Sequence, residues 1–537
     1  SGASALKWRR KDKPMLYGLD RLGQAKQEGY VLIVVGEPDA QTCWQQGLPA
    51  VGLPGASYWR DDRDERRFEG IDRIYAVIQP GELGRDLLER LAAGSLRERL
   101  RIVRLGEFKD INSLFVDDQE RFDARLRYLL DTAPRWSDEE SAERRRISEE
   151  TWPLAEGLLT APDLAQRIER AIRACGYAGE LRPVMIAYIA MTSRVAPKPL
   201  NLVFVAPAAS GKTRTVHAAA DLMPPESVHW FDASSPLALV YTDRDFQRSV
   251  VVFGEADSIP NDGPAATVVR TLAEENQLIY EVTERDSTGK LTTRKIHKPG
   301  PICLITTSTK SLPVQLATRM LEIPVRDDET QTREILLMIG ATAAGKRPAI
   351  TDVEEFIAMQ RWLGAQDTVA VVVPYGEALG SLMSAKEPRI RRDFHQLINA
   401  TTAVALLHRA QRQFDAQGRL VATIDDYAYV RELLVPIYDQ LASEGVSQCV
   451  RRVVAAVTEG MARSLGGGGP VSLVEARRFL GPTVAPSTAR DWVQRALRDG
   501  YLVDERTLKG PMRLRVGDGL PAETEGLPTV KAVLAQV

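Results

Sequence analysis

The feature that most constrains the fold is a short apolar segment that runs into a loop of small residues and a Gly-Lys-Thr triplet. Leu202-Val-Phe-Val205 is apolar and β-branched, which predicts a buried strand. The loop that follows ends at Gly211, and the pattern after Lys212-Thr213 predicts a helix to residue 222. A strand, a small-residue loop and a helix in this order are typical of a parallel α/β core.

This loop has the composition of a phosphate-binding loop. Its backbone N–H groups and the helix N-terminus would surround phosphates, which assigns nucleotide binding to Ala206, Ala208, Ala209, Ser210 and Gly211. Lys212 would neutralise the β and γ phosphate oxygens, and Thr213 would bind the metal. ATP and Mg²⁺ are therefore the expected ligands. The alternative is a chance Gly-Lys-Thr triplet at the start of a helix.

A second apolar segment, residues 250–253, ends in Gly254-Glu-Ala-Asp257. Glu255 is placed to polarise an attacking water, and Asp257 to help hold the metal. Gly254 stands where the first acidic residue is expected, which weakens the prediction for the metal more than for the nucleotide. The alternative is a solvated glutamate at the end of a strand.

Three further positions are predicted to respond to the nucleotide. Thr307 follows the apolar segment Ile302-Cys-Leu-Ile305 and is expected to contact the γ-phosphate. Arg319 is expected to reach the nucleotide of a neighbouring subunit, with a surface salt bridge as the alternative. Arg391 or Arg392, before a helix over 394–414, is expected to act as a second sensor, and the choice between them stays open.

Two segments are predicted to bind DNA. Residues 278–285 and 291–296 flank a glycine turn and predict a hairpin, whose basic residues Lys290, Arg294 and Lys295 would contact a phosphate backbone. Residues 470–518 predict two helices and a basic hairpin. There Arg490 would face a groove, and Lys509 and Arg513 would contact phosphate. The alternatives are an ordinary solvated hairpin and a module used only for protein contacts.

The rest of the chain divides by pattern. Residues 1–130 alternate strands (31–35, 74–78 and 100–104) with helices, which predicts a parallel sheet. The predicted organisation is an α/β module over 1–130, a linker or a solvated helix over 131–150, a nucleotide-binding core over 151–330, a helical region over 331–465, the module over 470–518 and a loose tail over 519–537.

Composition excludes several classes of protein. The 537 residues carry 70 Lys and Arg against 72 Asp and Glu, so the net charge is −2 and any nucleic-acid contact must come from local patches. Apolar runs stay below the roughly 18 residues of a membrane span, and the polar start predicts no signal peptide. The four isolated cysteines suit a reducing cytoplasm. Since the sequence begins with Ser-Gly, the question of whether a further region precedes residue 1 stays open.

Together these residues resemble known replication proteins. Residues 155–410 resemble an AAA+ helicase core of the minichromosome-maintenance-like branch, similar to helicases encoded with primases on phages and integrative elements. Residues 1–130 resemble a Toprim domain, the fold of bacterial-type primases, through Gly36-Glu-Pro-Asp39 and Lys109-Asp-Ile-Asn112. Val35, Gln79 and Gly81 stand where that family has metal-binding carboxylates, so primer synthesis is not expected. Residues 470–518 resemble a winged helix.

The resemblance implies an α/β multidomain, ATP-driven DNA helicase or translocase of a phage or mobile element. It also implies a homo-oligomer, a hexamer, and a primase or replication-initiation protein as a partner. Alternatives are an ATP-gated DNA-binding initiator that does not unwind DNA, a primase-helicase whose polymerising activity survives, and a general protein-remodelling ATPase.

Overall fold

A computed structural model describes residues 15–55, 58–231, 237–242, 244–258, 263–285, 291–310, 312, 316, 319–346, 352–383, 390–442, 448–463, 468–481, 484–506, 510–520 and 526–537. The described part of the chain contains a four-stranded and a five-stranded parallel sheet, each flanked by helices, which confirms the predicted mixed α/β, multidomain class at that level. Within the described ranges, each helix is too short or too polar to cross a lipid bilayer.

The N-terminal module is a four-stranded parallel sheet with the strand order β2-β1-β3-β4. Residues 31–34 are each at most 1% exposed, because helices cover both faces of the sheet. The predicted strands at 31–35, 74–78 and 100–104 are confirmed. The strands are β1 Tyr30–Val35, β2 Ala50–Leu53, β3 Arg73–Ile78 and β4 Leu100–Arg104. The helices are α1 Leu22–Glu28, α2 Glu37–Gln45, α3 Asp61–Asp64, α4 Glu82–Ala93, α5 Ile111–Asp117 and α6 Phe122–Asp131.

Of the two alternatives for residues 131–150, a linker or a solvated helix, the helix is confirmed from residue 136 onward. Helix α7, Trp136–Leu159, runs through it and packs along the helix Glu354–Ala365. Ion pairs of Arg97 with Glu140 and of Arg104 with Glu139 attach α7 to the N-terminal module. The charge-rich composition that indicated a linker is the solvated face of this helix, where Arg146 pairs with glutamates three and four residues away.

The central module is built on a five-stranded parallel sheet with the order β11-β5-β10-β7-β6. Apolar strand residues such as Val203, Val251 and Leu304 are fully buried. The strands are β5 Leu202–Val205, β6 Val228–Phe231, β7 Ser249–Glu255, β10 Ile302–Ser308 and β11 Leu321–Pro324. The helices are α8 Leu164–Ala174, α9 Leu181–Thr192, α10 Lys212–Ala220, α11 Ala238–Tyr241 and α12 Pro264–Glu275. Helix α10 begins at Lys212, so Lys212 and Thr213 occupy its first turn.

The predicted hairpin is confirmed. β8, Leu278–Arg285, and β9, Leu291–Lys298, pair antiparallel as a separate two-stranded sheet, with Arg285 opposite Leu291. Lys290 lies outside the described residues. Arg294 and Lys295 lie on β9, and their side chains are outside the described part of the chain.

The helical region that follows contains five helices and two short paired strands in its described part. They are α13 Glu329–Ala343, α14 Glu354–Ala365, α15 Gly376–Leu382, α16 Ile390–Leu407 and α17 Ile424–Ala442, with β12 Val371–Val372 and β13 Leu420–Val421. Buried residues of α9, α14, α16 and α17 share one hydrophobic core with the sheet. The region is therefore continuous with the central module.

The C-terminal module begins earlier than residue 470. Helix α18, Gln448–Arg463, packs against α19, Leu473–Leu480, and α20, Pro486–Arg498. Val453 and Val457 share a core with Val493 and Leu514. The hairpin β14 Leu502–Asp504 with β15 Leu514–Val516 completes it. The predicted boundary between 331–465 and 470–518 is therefore wrong, because α18 lies before it in the chain but packs with the residues after it.

The predicted loose tail over 519–537 is also wrong for its described part. The tail returns to α17, where Leu527 is fully buried and the carbonyl of Pro528 accepts hydrogen bonds from Tyr427 and Arg431. Helix α21, Val530–Leu534, buries Val533 against the same core. Gly526 lies so close to the backbone of Tyr438 that an added Cβ would come within 2.2 Å of it.

Candidate nucleotide-binding site

Three neighbouring strands of the central sheet end in polar or loop residues at the same edge. β10 lies between β5 and β7, with Ser308 opposite Val205 and Thr307 opposite Glu255. The backbone N–H of Ala206 donates to the carbonyl of Ser308 at 3.2 Å, which joins the start of the loop to the end of β10. Because parallel strands share one carboxyl edge, the tertiary structure brings together the loop, the polar end of β10 and the acidic end of β7.

The loop has an unusual backbone. Ala209 has φ 63° and Gly211 has φ 86°, both in the left-handed region. Left-handed residues in a loop turn consecutive N–H groups to one side, which forms a concavity that binds anions. A Cβ added at Gly211 would meet nothing within 4 Å, so there is open space beside the loop. The strained Ala209 favours a functional loop over a chance triplet.

Lys212 lies inside the loop. Its side chain is buried, and Nζ donates to the carbonyls of Ala206 and Pro207, each at 2.6 Å. The next residue, Thr213, is exposed. One turn on, the Thr215 hydroxyl contacts the Gly211 carbonyl at 3.2 Å and the Tyr177 hydroxyl at 3.1 Å, which fixes the first turn of α10 against the preceding helices.

The residues present fit a triphosphate with a magnesium ion. Ser210 Oγ is buried and has no hydrogen-bond partner among the described residues, so an oxygen acceptor is missing at the loop. The Lys212 ammonium, the exposed Thr213 hydroxyl and the exposed Glu255 lie around the same edge. Mg²⁺ is held in proteins by one or two carboxylates together with substrate phosphates and water. The described residues contain no cluster of three or more His, Cys, Asp or Glu that could hold a metal ion.

Asp257 follows β7 and is held by the end of the neighbouring strand β10. Its Oδ1 accepts from the Ser308 hydroxyl at 2.9 Å, and its Oδ2 accepts from the backbone N–H of Thr309 at 2.7 Å. Burial raises the pKa of Asp257, but these hydrogen bonds outweigh it and hold the pKa below its ordinary value. The carboxylate is therefore ionised, and both of its oxygens are engaged.

Sequence reasoning selected one residue from the polar run after residue 305 and missed its neighbour. Thr307 is buried on β10, opposite Glu255 of β7. The Thr306 hydroxyl donates to the carbonyl of Gly254, the position where an acidic side chain was expected. Ser308 holds Asp257 and was not predicted. Its signal was present in the run Thr306-Thr-Ser-Thr309, but strand register was needed to find it.

The predicted arginines are placed differently from one another. Arg319 forms an ion pair with Glu274 of α12 at 2.9 Å, with 26% of its side chain exposed. This salt bridge is the alternative that the sequence left open. To act on a neighbouring subunit, Arg319 would have to break its ion pair with Glu274. Arg391 and Arg392 are both exposed in the first turn of α16, so the choice between them as the second sensor stays open.

The predicted DNA contacts of the C-terminal module are partly described. Arg490 is exposed on α20 and Arg513 is exposed before β15. Lys509 lies outside the described residues. In this module the structure brings α20 and the hairpin β14–β15 into one core, so the two exposed arginines belong to one compact unit.

In the N-terminal module, the carboxyl ends of β1 and β3 lead into Gly36 and Gly81, which precede α2 and α4. Asp39 is buried and accepts from the backbone N–H of Asn112 at 2.9 Å. Burial raises the pKa of Asp39 to about 6, against the lowering effect of this hydrogen bond. Asp39 therefore serves as an internal tie between α2 and α5.

Comparison with known proteins finds a partial match to a phage protein. No model of a known protein family matches the chain. The chain is 32% identical over 103 residues to the "Gene 57 protein" of Mycobacterium phage D29. The match covers 19% of this chain and 64% of that protein, so the chain spans less than two thirds of the length of this relative. The name of the relative states no activity.

Proposed function

We propose that this protein is an ATPase that couples ATP hydrolysis to movement along DNA, a helicase or translocase with an AAA+-type core. One observation carries the proposal: the loop 206–211 and Lys212 place a buried ammonium and a buried serine hydroxyl, which has no partner among the described residues, beside the polar and acidic ends of two adjacent strands. A triphosphate bound by the loop would lie against both strand ends, where its hydrolysis can be assisted.

Each residue has a role in this proposal. Lys212 would exchange the carbonyls of Ala206 and Pro207 for phosphate oxygens, since an ammonium binds charged oxygens more strongly than neutral ones. Thr213 and Asp257 would hold Mg²⁺, which when bound neutralises charge on the β and γ oxygens. Glu255 would orient the attacking water, and Thr307 on the intervening strand would contact the γ-phosphate.

The proposal includes a ring of identical subunits, a hexamer by family resemblance. Arg319 of one subunit would then act on the nucleotide of the next, and Arg391 or Arg392 would contact the nucleotide of its own subunit. Movement of the hairpin β8–β9 with nucleotide state would carry Lys290, Arg294 and Lys295 along a strand. The N-terminal module, Toprim-like and without the family's carboxylates, would act as a scaffold or docking site for a primase or initiation partner. The C-terminal module would be a winged helix that contacts DNA.

The test is ATP hydrolysis with and without single-stranded DNA, together with unwinding of a forked duplex. Lys212→Ala should abolish hydrolysis and weaken ATP binding by roughly 10- to 100-fold, because it removes charge-assisted hydrogen bonds. Arg214→Ala is the matched control, since Arg214 is exposed on the same helix and pairs with Asp221 at 3.4 Å. Wild-type protein that binds no adenine nucleotide at any Mg²⁺ concentration would falsify the proposal.

A second candidate is an ATP-gated DNA-binding initiator that does not unwind DNA. Two observations favour it: Gly254 contributes no carboxylate, and both oxygens of Asp257 are already engaged. Such a protein would bind ATP and DNA with positive coupling but show no strand separation. Unwinding that depends on Lys212 and Lys290 would exclude this candidate.

A further inference from the structure

Three arginine side chains from distant parts of the chain meet at the end of α14. Arg248 Nη2 donates to the carbonyl of Gln366 at 2.7 Å, and Arg409 Nη1 donates to the carbonyl of Asp367 at 2.8 Å. Arg144 Nη2 lies 3.2 Å from Asp367 Oδ1. The accepting atoms belong to two consecutive residues, so the three guanidinium groups lie within about 10 Å of one another. Arg144, Arg248 and Arg409 are called the arginine cluster below.

The cluster has too little negative charge around it. Among the described residues, Asp367 is the carboxylate that forms an ion pair with the cluster, and it pairs with Arg144. Glu140 lies nearby on α7, but both of its oxygens accept from Arg97 at 2.6 Å. Three positive charges therefore share one carboxylate, and that carboxylate has 81% of its side chain exposed. An exposed pair of this kind contributes roughly 0–1 kcal/mol, so another anion can replace it.

Arg248 has features that α14 does not explain. Its φ is 57°, in the left-handed region that residues with a side chain seldom adopt. Its Nε is buried and has no hydrogen-bond partner among the described residues. Burial, and then the charges of Arg144 and Arg409, lower its pKa to about 10. Arg248 therefore combines a costly backbone conformation with a donor that lacks an acceptor among the described residues, in positively charged surroundings.

The arginine cluster could serve only to cap the C-terminus of α14, since cations stabilise helix C-termini. Arg194 shows what a purely structural arginine looks like in this chain. It is 2% exposed and donates to the side-chain oxygen and the carbonyl of Gln360 at 2.7 and 2.8 Å. The arginine cluster differs because it opens to solvent at Asp367 and retains a buried donor, Arg248 Nε, for which the described part of the chain supplies no acceptor.

We propose that the arginine cluster is an anion site that binds a phosphate group. Guanidinium groups present paired donors that match two phosphate oxygens, and three of them converge here from three elements. The site is separate from the nucleotide loop. Arg248 directly precedes β7, whose other end carries Glu255, so the strand sets the two sites about 20 Å apart. The phosphate can come from a nucleic-acid backbone or from a free di- or triphosphate.

The experiment uses the full chain with Lys212→Ala, which is expected to weaken phosphate binding at the loop 206–211. Binding of dye-labelled single-stranded DNA is measured against salt, and binding of inorganic pyrophosphate by calorimetry. Arg144→Gln and Arg409→Gln are each added, with Arg146→Gln as the control on the same helix, since Arg146 pairs with Glu143 and Glu150 away from the cluster. Thermal melting checks that each variant folds, and Asp367→Asn removes the competing carboxylate.

The expected result is that Arg144→Gln and Arg409→Gln weaken phosphate binding roughly tenfold, while Arg146→Gln does not. If the source is a nucleic-acid backbone, the DNA affinity falls and its salt slope decreases by about 0.7. If the source is a free phosphate compound, only pyrophosphate binding falls. Asp367→Asn should strengthen whichever binding is observed. Folded Arg144→Gln and Arg409→Gln proteins that bind both probes as the Arg146→Gln control does would overturn the proposal. Because Lys212→Ala is expected to abolish ATP hydrolysis, the result of this experiment does not depend on hydrolysis.

Discussion

The Ser308 hydroxyl lies 2.9 Å from Asp257 Oδ1, so the carboxylate that follows β7 is held by β10, the strand that lies between β7 and the β5 strand leading into the loop 206–211. Groups that orient a metal-binding carboxylate commonly affect metal affinity or activity by about 10- to 100-fold. If Asp257 helps to hold Mg²⁺, Ser308→Ala should raise the Mg²⁺ concentration for half-maximal ATP hydrolysis roughly tenfold. Thr306→Ser keeps its hydroxyl bond to Gly254 and should leave that concentration unchanged. An unaltered Mg²⁺ curve in Ser308→Ala would argue against Asp257 as a ligand.

Arg319 pairs with Glu274 in the single chain, yet it is proposed to act on a neighbouring subunit. Arg319→Ala should abolish ATP hydrolysis, whereas Glu274→Gln, which releases Arg319, should not reduce it. Mixing inactive Arg319→Ala with inactive Lys212→Ala should restore part of the activity, because some interfaces then combine an intact loop with an intact arginine. If the two proteins are shown to co-assemble and the mixture remains inactive, Arg319 does not act on a neighbouring subunit and serves only in its salt bridge with Glu274.

Asp39 is expected to make the stability of the protein depend on pH. Its pKa is about 6 in the folded chain and about 3.9 when unfolded, so folding takes up a proton between these values. The free energy of unfolding therefore falls as pH rises from about 4 to 6, and it stays at this lower value above pH 6. Asp39→Asn should remove this slope and stabilise the protein by on the order of 1–3 kcal/mol at pH 7. Urea unfolding at several pH values measures it, with the exposed Asp20→Asn as the control.

The docked tail should contribute to stability through its buried side chains. Leu527 is fully buried against the helical region, so Leu527→Ala should cost about 2–5 kcal/mol in the free energy of unfolding. Leu534 is 55% exposed seven residues later, and Leu534→Ala should change stability by less than about 0.5 kcal/mol. Thermal melting compares the two, and equal melting temperatures would mean that the tail does not dock in solution.

Local features were predictable because they depend on neighbours along the chain. Apolar β-branched runs gave the strands at 31–35, 74–78 and 202–205, and the glycine turn indicated the hairpin β8–β9. The loop at 206–211 was predictable for the same reason, since its small residues, strand and helix are contiguous. The choice between a linker and a helix at 131–150 stayed open, and the domain boundary near 470 and the loose tail were mispredicted, because local composition does not show what a segment packs against.

By itself, the sequence determined the elements with strong local patterns and the residue types that can bind a phosphate, Lys212 and Thr213 among them. Only the tertiary structure decided which residues meet: Ser308 with Asp257 across adjacent strands, and Arg144, Arg248 and Arg409 around residues 366 and 367. The physical reason is that strand order and helix packing follow from burial of apolar surface over the whole chain. A hydrogen bond between residues 51 or 118 positions apart has no signature in the sequence near either partner.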